Sequence, residues 1–317
     1  MTLRRPDPDA SRLEAANWGL VGGTCLVVAV WLAATDMELA FRSAAYPAAA
    51  SLAIAALGAF YRHVRRDDAL GTTLLSLSQL IAFTTVGLPF SYLLASLGRP
   101  MWDAELHRLD LALGLDWRAY LAFVNDRPML GGALNVAYGS IIPQLVAAVG
   151  ALGLTGRRLA LQRFAFAFIV SGLVTMVISG AMPAMAMFVH LGLGPADYPN
   201  LVPAAAHVHV ADMEALRSGA MKVISLTGSE GIITFPSYHA ALAAVFLAAF
   251  WSVPWLRPVG VALNLAMIAA TPIDGGHYFV DVLAGILIAA ASLAAAEAIA
   301  APRRASARIA GPAPASA

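Results

Sequence analysis

The chain has 317 residues, of which 60% are hydrophobic and 12% charged, with a formal net charge of +1. Soluble domains carry about 25% charged residues, so this composition excludes a soluble enzyme, a disordered chain and a nucleic-acid binder with a basic face, and no nucleic-acid partner is expected. It calls for an all-α polytopic membrane protein, provided that the apolar residues gather in runs of about 20.

They do. After an N-terminal segment, 1–16, with Arg4, Arg5 and Arg12, spans are predicted near 17–35, 44–61, 71–97, 129–154, 161–182, 237–253, 256–272 and 278–300. The first run is followed by Asp36 and Glu38 instead of a small-residue cleavage site, so it reads as a retained helix. Cys25, the single cysteine, sits inside that run as a packing residue. The small residues around Ala284-Gly285 suit close helix approach. The sequence thus divides into two N-terminal helices (17–62), a six-helix core (71–300) and a disordered tail (301–317).

Two linkers exceed simple turns. The first, about 98–128, places Leu106, Leu109, Leu113 and Tyr120 among charges and reads as an amphipathic helix in the interface, with Asp103, Glu105, Asp110 and Asp116 on its wet face. The second, about 183–236, mixes Pro, Gly, His and charge. His207-Val208-His209 within it lacks further ligands at metal-site spacing and reads as solvated loop.

With eight spans, thirteen of the 20 basic residues fall on the side of the N-terminus, and thirteen of the 19 acidic residues fall on the other. The positive-inside bias puts both termini in the cytoplasm and both long linkers outside, which in a bacterial-type inner membrane is the periplasmic side.

Two stretches on that outer side combine ionisable residues with helix starts. In Phe235-Pro236-Ser237-Tyr238-His239, proline and serine open a helix and put His239 in its first turn, where free N–H groups favour an anion. In Asp274-Gly275-Gly276-His277-Tyr278-Phe279-Val280-Asp281, a helix is predicted to begin around His277, with Asp281 four residues on and within hydrogen-bonding reach. A carboxylate one turn into an apolar span marks a functional site by default. It orients an imidazole and leaves the other ring nitrogen as a nucleophile, while a second histidine protonates a leaving oxygen. Arg217 and Lys222 (the single lysine) stand just before this stretch and are the predicted cations for the developing negative charge. Asp274 reads as a turn residue before the glycines.

Pro236-Ser237-x-His239, followed 38 residues after His239 by His277-x-x-x-Asp281, resembles the second and third motifs of the type 2 phosphatidic acid phosphatase superfamily. The variant here is similar to the branch containing inositol phosphorylceramide synthases. The resemblance implies His277 as a nucleophile forming a phosphohistidine, Asp281 orienting it, His239 protonating the leaving group and Ser237 bonding phosphate. It needs no metal and no cofactor. The implied partners are a lipid phosphate or phospholipid donor and, as acceptor, water or an alcohol such as inositol. Two positions depart from the pattern: Tyr92 stands where the first motif has lysine, seven residues before Arg99-Pro100, and Thr271 stands where the third has arginine, so phosphate binding is assigned instead to Arg217 and Lys222. The competing readings are a proton-coupled transporter, which would more often show paired repeats and broken mid-span helices, and a metal-dependent membrane hydrolase using His239, His277 and Asp281 as ligands.

Overall fold

The computed structural model describes residues 8–228 and 231–301. Arg4, Arg5 and all but the first residue of the tail expected to be disordered lie outside them.

All eight apolar runs are helical. The chain runs through α1 (Pro8–Ala34), β1 (Glu38–Leu39), α2 (Phe41–His63), α3 (Asp68–Ala95), α4 (Asp103–Ala112), α5 (Trp117–Asn125), α6 (Pro128–Tyr138) and α7 (Ile141–Leu154). It continues through α8 (Arg158–Ala181), α9 (Met187–His190), α10 (Val210–Arg217), β2 (Val223–Ile224), α11 (Tyr238–Trp251), α12 (Arg257–Asp274) and α13 (Phe279–Ala300). Among the described residues, six helices are long and apolar enough to cross a membrane: α1, α2, α3, α8, α12 with the turn before it, and α13. Together α6 and α7 pass the same test as one span bent by 50°. The remaining run, α11, has 14 residues, about 21 Å of helix against a hydrocarbon core of about 30 Å. The chain is an all-α polytopic membrane protein. Its one sheet among the described residues is the two-residue parallel pair of β1 and β2.

Local chemistry sets several helix starts. Asp67 caps α3 by accepting from the Leu70 N–H (3.0 Å), Asp116 caps α5 through the Ala119 N–H (3.0 Å), and Pro128 occupies the first turn of α6. At the end of the bundle predicted to be cytoplasmic, charged side chains join neighbouring helices: Arg62 to Glu14 at 2.7 Å, Arg158 to Asp68 at 3.0 Å and Arg163 to Glu297 at 2.7 Å. Deeper in, Asn17 of α1 donates to Gln162 of α8 at 2.9 Å, and Gln162 donates to Ser76 of α3 at 3.0 Å. All three side chains are buried, so α1 is bonded into the bundle by polar groups that have no water to turn to.

The first linker departs from the single interfacial helix expected. Gly114, at φ +74°, separates α4 from α5. Leu109 and Leu113 face outward, whereas Asp110 is fully buried. Asp110 is turned inward because it caps a distant helix: its two carboxylate oxygens accept from the N–H groups of Phe279 (2.9 Å) and Val280 (2.8 Å), the first residues of α13. Asp103 also points in, accepting from the Met185 N–H and the Tyr278 hydroxyl, both at 2.9 Å. Only Glu105, paired with Arg108 at 2.8 Å, and the cap Asp116 remain on the wet side.

Candidate active site

The turn joining α12 to α13 is held from every side. The carbonyl of Asp274 accepts from the Ala205 N–H (2.7 Å), that of Gly276 from the Met187 N–H (2.8 Å), and that of His277 from the Trp117 indole N–H (3.1 Å). Gly276 takes φ +66°, and a Cβ on Gly275 would lie 2.6 Å from the His277 ring and 2.8 Å from the Tyr138 hydroxyl, so both glycines are needed for this path. α13 begins at Phe279, two residues later than expected. His277 therefore stands free of the helix while keeping its predicted partner: Nδ1 lies 3.2 Å from Asp281 Oδ2, which also accepts from the Tyr278 N–H at 2.9 Å. The other oxygen, Asp281 Oδ1, is buried without a hydrogen-bond partner among the described residues.

α11 starts against this turn. Ser237 caps it, accepting from the Ala240 N–H at 3.3 Å, and the Ser237 N–H donates to the Asp281 carbonyl at 3.0 Å. The two helix starts come this close because α13 carries Gly285, where a Cβ would sit 2.2 Å from the Ser237 carbonyl oxygen. Gly285→Ala is accordingly expected to push α11 from α13 and part His239 from His277. Catalytic activity should fall at least tenfold, with stability down by about 1–3 kcal/mol; an alanine variant matching the parent in both would show that the contact yields freely.

The result is a cavity of about 330 Å³ bounded by Tyr138, His209, Ile233, Tyr238, His239 and His277, among others. Tyr138 and His239 stack with ring centres 4.1 Å apart. Tyr138 ends α6, and Gly139 and Ile141 follow it in the cavity wall, so the break between α6 and α7 lines the cavity, the kind of place where irregular backbone is tolerated at membrane depth. Burial depresses the His277 ring to about 4, against a Thr234 carbonyl that favours protonation, so the ring is neutral near pH 7 and one of its nitrogens carries a lone pair.

Among the predicted site residues, the structure brings His239, His277 and Asp281 together. It does not bring Arg217, Lys222 or Ser237 to the cavity wall. Lys222 is exposed and pairs with Asp36 at 2.5 Å; Arg217 donates to the Arg99 carbonyl at 2.7 Å. The Ser237 hydroxyl is fully buried as a helix cap. Asp274 is buried at the end of α12, accepting from the Asn135 amide at 2.7 Å. Thr271, at the position of the absent arginine, is buried and bonded to its own helix at Met267. Among the described residues no group of three or more His, Cys, Asp or Glu side chains is placed to hold a metal ion.

The residue that sequence reasoning missed is His209. Expected in solvated loop, it is buried, lines the cavity and bonds the Met185 carbonyl through Nε2. A signal was present: His209, Met213 and Leu216 fall at i, i+4 and i+7, and all three are buried.

A family model for the PAP2 superfamily matches residues 104–295, from α4 almost to the end of α13. The chain belongs to the PAP2 superfamily. The matched segment contains both histidines, Asp281 and the whole cavity wall, and PAP2 membership supports a phosphatase- or phosphotransferase-type activity. No curated protein and no solved structure matches the chain.

Proposed function

We propose that this PAP2 protein is a lipid phosphate phosphatase or head-group phosphotransferase working through a phosphohistidine on His277, at the outer face of the membrane. The observation that carries the reading is the His277–Asp281 pair, 3.2 Å apart, clamped beside a cavity that His239 also lines. In the first step the free His277 nitrogen attacks phosphorus, the ester bond breaks, and His239 gives its proton to the departing oxygen. In the second, water or an alcohol attacks the phosphohistidine, its proton returns to His239, and the P–N bond breaks. Asp281 keeps the ring in one orientation and balances the charge it gains on attack. The proton donor accounts for about 10²–10⁴-fold of the rate, and fixed positioning for much of the rest.

Two further observations favour a lipid donor and the outer face. The cavity is walled in part by the break of a span, a place that a donor in the bilayer can reach. The charge partition sets the cluster on the acidic side of the chain. The chain's variant of the motifs, similar to the inositol phosphorylceramide synthase branch, favours an alcohol acceptor.

The test is to incubate the purified protein in vesicles, with EDTA present, with a panel of lipid phosphates and phospholipids plus inositol. Free phosphate scores hydrolysis and a new phosphoester scores transfer. One of these products is expected, undiminished by the chelator; neither product across the panel, from folded protein, contradicts the proposal.

A further inference from the structure

Among the described residues, no lysine or arginine lines the cavity; its ionisable groups are Tyr138, Tyr238 and three histidines. His277 and His239 already have roles in the proposed chemistry. His277 attacks as a neutral ring and the proton on His239 is given up to the leaving oxygen, so neither leaves a lasting positive charge beside the phosphoryl group, and a bound anion away from bulk water needs a cation or several donors.

We propose that His209 is the phosphate-binding cation of this site, a third histidine that takes up a proton as the phosphoryl group enters and holds its oxygens. This role rests on the phosphohistidine reading of the same cavity. The structure is arranged to deliver the ring. His209 immediately precedes α10, and α10 is fastened at both ends to the segment that departs from the family's first motif. Tyr92, at the lysine position, donates its hydroxyl to Asp212 at 2.5 Å, and Arg99, at the arginine position, accepts at its carbonyl from Arg217 at 2.7 Å. The lysine position of that motif thus anchors the helix that presents His209, and Arg99 fastens the same helix through its backbone carbonyl. The predicted cation Arg217 acts here as a fastener.

The ring's surroundings suit a switchable charge. Nε2–H donates to the Met185 carbonyl, which also accepts from the Thr234 hydroxyl at 3.2 Å. The titratable groups around the ring are His207 in its own segment, Asp212 on α10, Asp103 on α4, His277 before α13 and, across the cavity, Tyr138, Tyr238 and His239. Burial lowers its pKa, whereas the carbonyls of Met185 and Ala205 and the Asp103 carboxylate favour the protonated form. The empty site therefore avoids a buried unpaired charge, and an incoming anion shifts the balance towards imidazolium.

This coupling gives the pH dependence a definite sign. A group whose pKa rises on binding supports binding fully at low pH, and that support is lost as pH rises through its value in the complex. Diethyl phosphate suits the test, because it stays a monoanion throughout and any proton taken up belongs to the protein. Its binding to the full chain in nanodiscs would be measured calorimetrically in two buffers, from about pH 6 to about pH 8. The parent should take up one proton per diester bound. His209→Gln should bind about 10- to 100-fold more weakly without proton uptake. His209→Lys should recover most of the affinity, also without uptake, which a purely structural role at the Met185 carbonyl does not allow.

Undiminished affinity and proton uptake in His209→Gln would overturn the assignment and leave the phosphohistidine reading standing. A parent that binds no diester would overturn both. Should the glutamine variant fail to fold, the lysine variant decides: binding without uptake supports the role of His209, and no binding overturns it.

Discussion

His277→Ala is expected to lower turnover by about 10⁴-fold or more with the protein still folded, the scale seen when a covalent nucleophile is removed from a preorganised site. The loss comes from the assigned chemistry: without the ring no P–N bond forms, and the other groups at the cavity are positioned to assist that bond. Asp281→Asn should be milder in structure and still severe in rate, at about 10²–10⁴-fold. An asparagine oxygen can keep the bonds now made by Asp281 Oδ2 to His277 and the Tyr278 N–H, and its amide nitrogen would take the place of Oδ1, which has no hydrogen-bond partner among the described residues. What it loses is the negative charge that stabilises the ring during attack. Steady-state rates of both variants on whichever substrate the vesicle panel identifies would check this. Unimpaired turnover by folded His277→Ala protein would rule out His277 as the nucleophile.

The second large effect is expected far from the chemistry in sequence, at Asp110. Its carboxylate accepts from two N–H groups at the start of α13, where the helix dipole also favours negative charge. Asp110→Ala leaves both donors buried and unpaired and should cost about 2–5 kcal/mol, with activity lost as the start of α13 and Asp281 loosen. Asp110→Asn, which keeps an acceptor oxygen, should fall between. Glu105→Ala on the same helix removes an exposed pair with Arg108 and should change stability by less than about 0.5 kcal/mol. Thermal unfolding of the three variants in detergent gives the comparison. An Asp110→Ala protein as stable as Glu105→Ala would show that the cap is dispensable.

The contrast between these two acidic residues and the His277–Asp281 pair shows what the sequence could reveal. The apolar runs were legible because a bilayer imposes length and composition on every span. The two exceptions have local causes: Gly139 and Ser140 lie at the bend between α6 and α7, and α11 is short. His277 and Asp281 were legible because their bond spans four residues and helical spacing alone brings them together. Asp110 bonds residues about 170 positions away, and nothing local announces that. The available hint was that Asp103, Leu106 and Asp110 share one helix face, so carboxylates aligned with a buried leucine belong inside. The places of Arg217 and Lys222, away from the cavity wall, were not legible for the reverse reason. Proximity to His239 in sequence says little across a linker, and each had a partner, Arg99 and Asp36, that spacing could not show.

The most direct measurement is to stop the reaction in alkali during turnover, where a phosphohistidine survives, and to map the phosphoryl group by mass spectrometry. A phosphoryl group is expected on the peptide containing His277 and absent from the His277→Ala protein. Turnover at the normal rate with no phosphorylated peptide, or with the group on another residue, would contradict the phosphohistidine mechanism.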